Sequence, residues 1–169
     1  MNQFVTLEQI DRAVEAVRAR ASRRPRIGIV LGSGLNSLAD SVQQADFIPF
    51  GDLPDWPRST VHGHTGRLVI GELEGQSVMV MQGRVHFYEG YSISQVTLPT
   101  RVMARMGLEI LIVTNAAGGV NPDFAPGDVM LITDHLNLMG MTGANPLMGP
   151  NIEELGPRFP DMSQAYDLQ

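Results

Sequence analysis

Between residues 6 and 20, apolar side chains fall at Ile10, Ala13, Val14 and Val17, the spacing of a single helix face. Thr6 and Gln9 precede them with the separation of a capping box. The pattern predicts a helix that ends near Arg20, Arg23 and Arg24, where arginines complement the negative end of the helix dipole. Next comes a continuous apolar run, Arg26 to Leu31, which reads as a buried strand. It enters Gly32-Ser33-Gly34, and Leu35 to Val42 reads as a short helix. Ala45 to Phe50 suits an edge strand, and Gly51 to Thr65, with Pro54, Pro57 and Gly63, a loop. Arg67 to Glu72 and Gln76 to Gln82 are strand-like runs joined at Glu74-Gly75, the layout of a hairpin. Ser92 and Gln95 repeat the capping-box spacing ahead of a helix that should reach Met106 and stop at Gly107. Pro99 inside it predicts an irregular first turn or a kink. Ile110 to Val113 reads as another buried strand and Asp128 to Thr133 as one more. From Asp134 to Met162 no period appears, and so long an irregular stretch is usually functional. Ser163 reads as the N-cap of a helix that has made only about one turn by Gln169. Strands alternating with helices place the chain in the α/β class.

Composition narrows the chemistry. The 169 residues carry 12 basic and 18 acidic side chains, a net charge of −6, and all the basic ones are arginine. Without lysine there is no Walker-type phosphate loop and no Schiff base. Without cysteine there is no thiol nucleophile, disulfide or thiolate metal site. Net negative charge argues against a nucleic-acid partner. No apolar run approaches the ~20 residues of a membrane span, so no membrane partner is expected. The N-terminus lacks the basic start and apolar core of a secretory signal, leaving a cytoplasmic location as the expectation.

Three constellations carry candidate chemistry. Gly32-Ser33-Gly34 sits between a strand and a helix, where glycines allow close backbone approach and N–H groups favour an anion. A plain tight turn is the alternative. A dinucleotide-binding turn would want a third glycine near Ser37 and a distant acidic partner, and neither is cleanly present. Arg84, His86 and Tyr88 would share one face of an extended segment and make an oxyanion clamp with a phenol beside it. An Arg84–Glu89 ion pair with a packed His86 is the competing reading. Thr114 to Gly119 ends a strand in small residues that leave room for a flat ligand. All three follow strand-like runs, and ligands of open α/β sheets gather at strand carboxyl ends. His62-Gly63-His64 has no further ligands at metal-like spacing, so no metal is expected. His135 reads as structural.

Several ordered runs resemble the trimeric class of purine nucleoside phosphorylases. They are Gly32-Ser33-Gly34-Leu35, Arg58 to His64, Gln82 to Tyr91, Thr114 to Gly119, Asp134-His135-Leu136-Asn137 and Asn145-Pro146-Leu147. The resemblance covers nearly all of the chain after Arg26. It implies an α/β fold with a mixed, partly barrel-like β-sheet flanked by helices. It implies phosphorolysis, in which a purine nucleoside and phosphate give free base and ribose 1-phosphate, with inorganic phosphate as co-substrate and no cofactor. Carried over by position, Ser33, Arg84, His86 and the backbone N–H of Ala116 would hold phosphate, with His64 beside it. Of these, Ser33, Arg84 and His86 would be catalytic. Tyr88 would contact ribose, and Asn115, Ala116 and Ala117 would line the floor under sugar and base. Phe159 would reach a neighbouring subunit's site in a homotrimer.

This sequence departs from the pattern in two places. His62 stands where some relatives have proline. The family's base-reading glutamate, its asparagine at purine N7, a second serine and a methionine of the sugar–phosphate site, and a histidine near the ribose 5′-hydroxyl have no counterpart among these 169 residues. The expectation is a single α/β domain over 1–169 that forms the N-terminal part of a longer phosphorylase domain. On its own it should turn over weakly or not at all and expose apolar surface. Methylthioadenosine phosphorylases, whose wording around the arginine and histidine differs, are one alternative. A truncated, non-catalytic phosphate- or nucleotide-binding relative is another.

Overall fold

The computed structural model describes residues 4–58 and 66–167. Two units divide the chain, Met1–Ala116 and Ala117–Gln169.

In the first unit, α1 (Leu7–Arg18) opens with the expected capping box: Thr6 accepts from the Gln9 amide, and the Gln9 side chain accepts from the Thr6 amide. Its buried stripe is Ile10, Ala13, Val14 and Val17. At the far end the Arg20 guanidinium donates to the Ala16 carbonyl, a group the helix itself leaves open. The strands are β1 (Ile27–Val30), β2 (Gln43–Pro49), β3 (Arg67–Leu73), β4 (Gln76–Gln82) and β5 (Ile110–Val113). They form one mixed sheet in the order β2-β3-β4-β1-β5. β3 runs antiparallel to both β2 and β4, while β1 runs parallel to both β4 and β5.

The hairpin from β3 to β4 closes through Glu74 and Gly75, both at positive φ (48° and 73°), the two-residue turn that matches strand twist. At the sheet edge β2 carries a bulge between Gln43 and Asp46 with Gln44 at φ 49°. Gly71 makes room for it, since a Cβ there would sit 2.5 Å from the Gln43 carbonyl oxygen. Ile29, Leu31, Ala39, Val42, Val69, Val78 and Val80 pack into one core cluster.

Ser92 and Gln95 form the second capping box, but the helix they open is broken. α2 (Ile93–Val96) ends at Thr97, and α3 (Leu98–Met106) restarts with Pro99 in its first turn, where a missing N–H is tolerated. Gly107 closes α3 at φ 88°. α3 lies against α1, its Arg105 holding Asp11 across the pair at 2.7 Å. It comes so near β1 that a Cβ on Gly28 would meet Leu108 at 2.9 Å and the Met103 sulfur at 3.0 Å.

Three expectations change. The segment after Gly34 is a six-residue 3₁₀ turn, Asn36–Ser41, too short and tight to be an α-helix. β5 is a strand but not a buried one: Ile110 to Val113 are 44–60% exposed. An apolar run specifies a strand without specifying its neighbours, and β5 hydrogen-bonds along one edge only, to β1. Asp128 to Thr133 forms no strand, and Val129 and Leu131 lie open to solvent.

In the second unit, regular structure is limited among the described residues to α4 (Leu138–Met141), capped by Asn137, and a 3₁₀ turn at Glu153–Leu155. Side chains hold its loops: Arg158 donates to the carbonyls of Leu147 and Gly149, and the Tyr166 hydroxyl meets His135 Nδ1 at 2.8 Å. Among the described residues Ser163 caps no helix: it donates through amide and hydroxyl to Asp161, and 164–166 are turn and bend.

Candidate functional site

β1, β4 and β5 point the same way and end within one residue of each other: Val30 pairs with Met81 on one side and Val113 on the other. The loops that leave these three strands therefore emerge along one edge of the sheet. They are Gly32-Ser33-Gly34, Gly83-Arg84-Val85-His86 and Thr114-Asn115-Ala116. Parallel alignment is what brings three separate sequence motifs together.

Thr114 joins them. Its amide and hydroxyl both donate to the Val30 carbonyl, at 3.1 and 3.0 Å. The same hydroxyl oxygen accepts from the Gly32 amide at 2.8 Å. Its carbonyl accepts from Arg84 Nη1 at 2.7 Å. The approach is close enough that a Cβ on Gly32 would lie 2.6 Å from the Thr114 carbonyl oxygen, so glycine is required by contact. Gly34, at φ 88°, turns the chain away and leaves Ser33 exposed.

Arg84 is half-buried and keeps a fixed positive charge at this edge. It binds Thr114, and the expected competitor for it, Glu89, is engaged elsewhere. The Glu89 carboxylate accepts from the His86 amide at 2.7 Å and faces His86 Nδ1 at 3.2 Å. Its side chain is only 2% exposed. A carboxylate only accepts, so in this contact Nδ1 carries the proton. The chain does not stay extended through this motif. His86 is extended, and a 3₁₀ turn begins at Phe87. Even so, the Tyr88 ring stacks on the His86 ring, with centroids 4.9 Å apart and planes 14° apart. Tyr88 is 74% exposed and offers its phenol to solvent.

Two supporting residues carry no chemical signature of their own in the sequence. Glu89 read only as a partner for Arg84. Gln82, 4% exposed at the end of β4, accepts from Arg67 Nε and donates to the Asn36 carbonyl. It ties the strand that leads to Arg84 to the 3₁₀ turn that follows Ser33. A polar residue at the end of an otherwise apolar strand was the available signal.

The structure thus brings Ser33, Arg84, His86, Tyr88, Asn115 and Ala116 to one sheet edge. Ala117 and Phe159 belong to the second unit, where Phe159 is 87% exposed. His62 and His64 lie outside the described residues. Among the described residues no three His, Cys, Asp or Glu side chains cluster as metal ligands. What remains is a fixed guanidinium, an oriented imidazole, a serine on a glycine turn and strand-end backbone, donors suited to an oxyanion with several oxygens.

Comparison with known proteins points the same way. A family model described as the phosphorylase superfamily matches residues 26–169. The chain is 57% identical over 157 residues to purine nucleoside phosphorylase 1 of Geobacillus stearothermophilus, covering 93% of this chain and 56% of that protein. It is 51% identical over 166 residues to purine nucleoside phosphorylase of Rattus norvegicus, covering 98% and 57%. Among solved structures, isoform 2 of the Schistosoma mansoni enzyme, in complex with cytosine and ribose-1-phosphate, superposes with a TM-score of 0.90 at 42% identity. That match covers 98% of this chain and 58% of the other. A Schistosoma mansoni purine nucleoside phosphorylase in complex with inosine gives 0.90 at 44% identity, with the same coverage. The chain therefore spans a little over half the length of these four relatives.

Proposed function

The chain belongs to the phosphorylase superfamily, and from that premise we propose that it serves the phosphorolysis of purine nucleosides. Phosphate attacks the anomeric carbon, the glycosidic bond breaks, and its electrons leave with the purine. The products are free base and ribose 1-phosphate. The observation that supports this most is the convergence of Ser33, Arg84, His86 and Ala116 on three parallel strand ends.

Positive charge develops on the sugar as the bond to the base lengthens. A phosphate held beneath it stabilises that charge and is already in line to attack, so the protein supplies position and electrostatics and no nucleophile of its own. In this reading Arg84, His86, the Ser33 hydroxyl and the Ala116 N–H grip phosphate oxygens. Tyr88 packs on the ribose, and Asn115, Ala116 and Ala117 lie under sugar and base. No cofactor enters the reaction. Phe159, a large exposed aromatic, suits the role of reaching a neighbouring subunit's site in a homotrimer. The acidic, cysteine-free chain suits the cytoplasm, and among the described residues no helix is long and apolar enough to cross a membrane.

The test has two readouts on the 169-residue chain. Calorimetry should show phosphate binding that Arg84→Ala removes. Release of hypoxanthine from inosine, followed with and without phosphate, should be phosphate-dependent wherever it is detectable. Phosphate binding undisturbed by Arg84→Ala contradicts the placement of the site, and phosphate-independent release contradicts the reaction.

A further inference from the structure

We infer that Thr114 is the positioning residue of the phosphate site: its hydroxyl sets the Ser33 turn and its carbonyl sets Arg84. The inference rests on the phosphorylase reading and adds a residue to it. Ser33 and Arg84 leave neighbouring strands, β1 and β4, whose pairing runs to Val30 and Met81; beyond those residues each loop needs contacts of its own to be set. Thr114, at the end of the third strand, contacts both. Its hydroxyl donates to the Val30 carbonyl and accepts from the Gly32 amide, so both its hydrogen-bonding roles are used. Because that oxygen takes the Gly32 N–H at 2.8 Å, the plane of the Leu31–Gly32 peptide, which leads into the turn at Ser33, is fixed. Its carbonyl takes one N–H of the Arg84 guanidinium at 2.7 Å, which orients the fork and leaves its other N–H groups for a ligand.

An ordinary strand end needs none of this. A valine at 114 would continue the apolar β5 run Ile-Leu-Ile-Val and keep its backbone pairing. The hydroxyl is what departs from that pattern, and it is spent wholly on the end of β1 and the turn that follows it. Thr114 touches no reacting atom in this account. It acts through Ser33 and Arg84.

Thr114→Val is nearly isosteric and removes the hydroxyl alone, whereas Thr114→Ser keeps it. With inorganic phosphate as the calorimetric probe on the full chain, the valine variant should bind about fivefold or more weakly, the worth of one net hydrogen bond, and the serine variant within about twofold of wild type. In a Ser33→Ala background the valine substitution should weaken binding by less than it does alone, because both act through the same turn. Should the valine variant fail to fold, Thr114→Ala removes the same oxygen without a branched methyl to place. Wild-type affinity in the valine or alanine variant, equal losses in the serine and valine variants, or full additivity with Ser33→Ala each overturn the inference. A wild-type chain that binds no phosphate overturns the phosphorylase reading itself. Binding by wild type that is indifferent to residue 114 overturns this inference alone.

Discussion

At the scale of single residues, orientation of His86 matters as much as its identity. Its ring is held from two sides: Glu89 meets Nδ1, and Tyr88 stacks on the face. Glu89 is buried and satisfies both the ring and the His86 amide. Replacing it with alanine leaves two donors without their acceptor, a loss of roughly 1–3 kcal/mol where such groups are buried. Glu89→Ala should therefore lower unfolding stability by an amount in that range and weaken phosphate binding along with it. Denaturant titration and calorimetry on one preparation check both. An unchanged phosphate affinity in a destabilised variant would detach His86 from the anion site. Sequence could name His86 as a candidate because imidazole is rare and chemically distinctive. It could not name Glu89 as its holder, because the i, i+3 contact depends on a 3₁₀ turn that begins at Phe87.

At the scale of elements, local signals carried far. Both capping boxes, the Gly107 stop, the hairpin at Glu74-Gly75 and the interruption near Pro99 depend on neighbours in sequence, and each forms where it was read. What was not legible depends on distant neighbours. Among the described residues β5 pairs with β1 alone and its side chains stay 44–60% exposed; which elements cover a strand's faces is something a four-residue apolar run does not encode. Asp128 to Thr133 has strand-like composition but forms no strand. The convergence of three motifs also needed the parallel alignment of β1 with β4 and β5, a non-local fact. One junction between elements should respond to acid. The chain leaving α1 is fastened to β2 by Asp46, which accepts from both the amide and the hydroxyl of Ser22 at 2.7 Å. The Ser22 amide bond, then the hydroxyl bond, hold the Asp46 pKa below its ordinary 3.8. A group depressed in the folded state stabilises fully above its unfolded value, and that contribution fades as pH falls through the folded one. Unfolding stability should thus decline below about pH 3.8 by more in wild type than in Asp46→Asn, and parallel acid titrations of the two would exclude this fastening.

At the scale of the whole molecule, apolar surface is the conspicuous property. Val120, Val129, Leu131 and Leu136 are 87–99% exposed, and the side chains of β5 are open as well. Exposed apolar side chains in such number mark sites of association or of aggregation. The 169-residue chain should self-associate and bind a hydrophobic dye in dilute solution. Sedimentation as a dye-silent monomer would be incompatible with the exposure described. The hairpin offers the means to watch the phosphate site without disturbing it. β4 carries Gln82 and Arg84 to the site edge, so its first residue, the exposed Gln76, lies at the opposite end of a seven-residue strand, about 20 Å away. Since the sequence has no cysteine, Gln76→Cys creates its sole thiol. A single fluorophore coupled there would sit within energy-transfer range of a labelled nucleoside, turning the turn between β3 and β4 into a fixed observation post for ligand arrival.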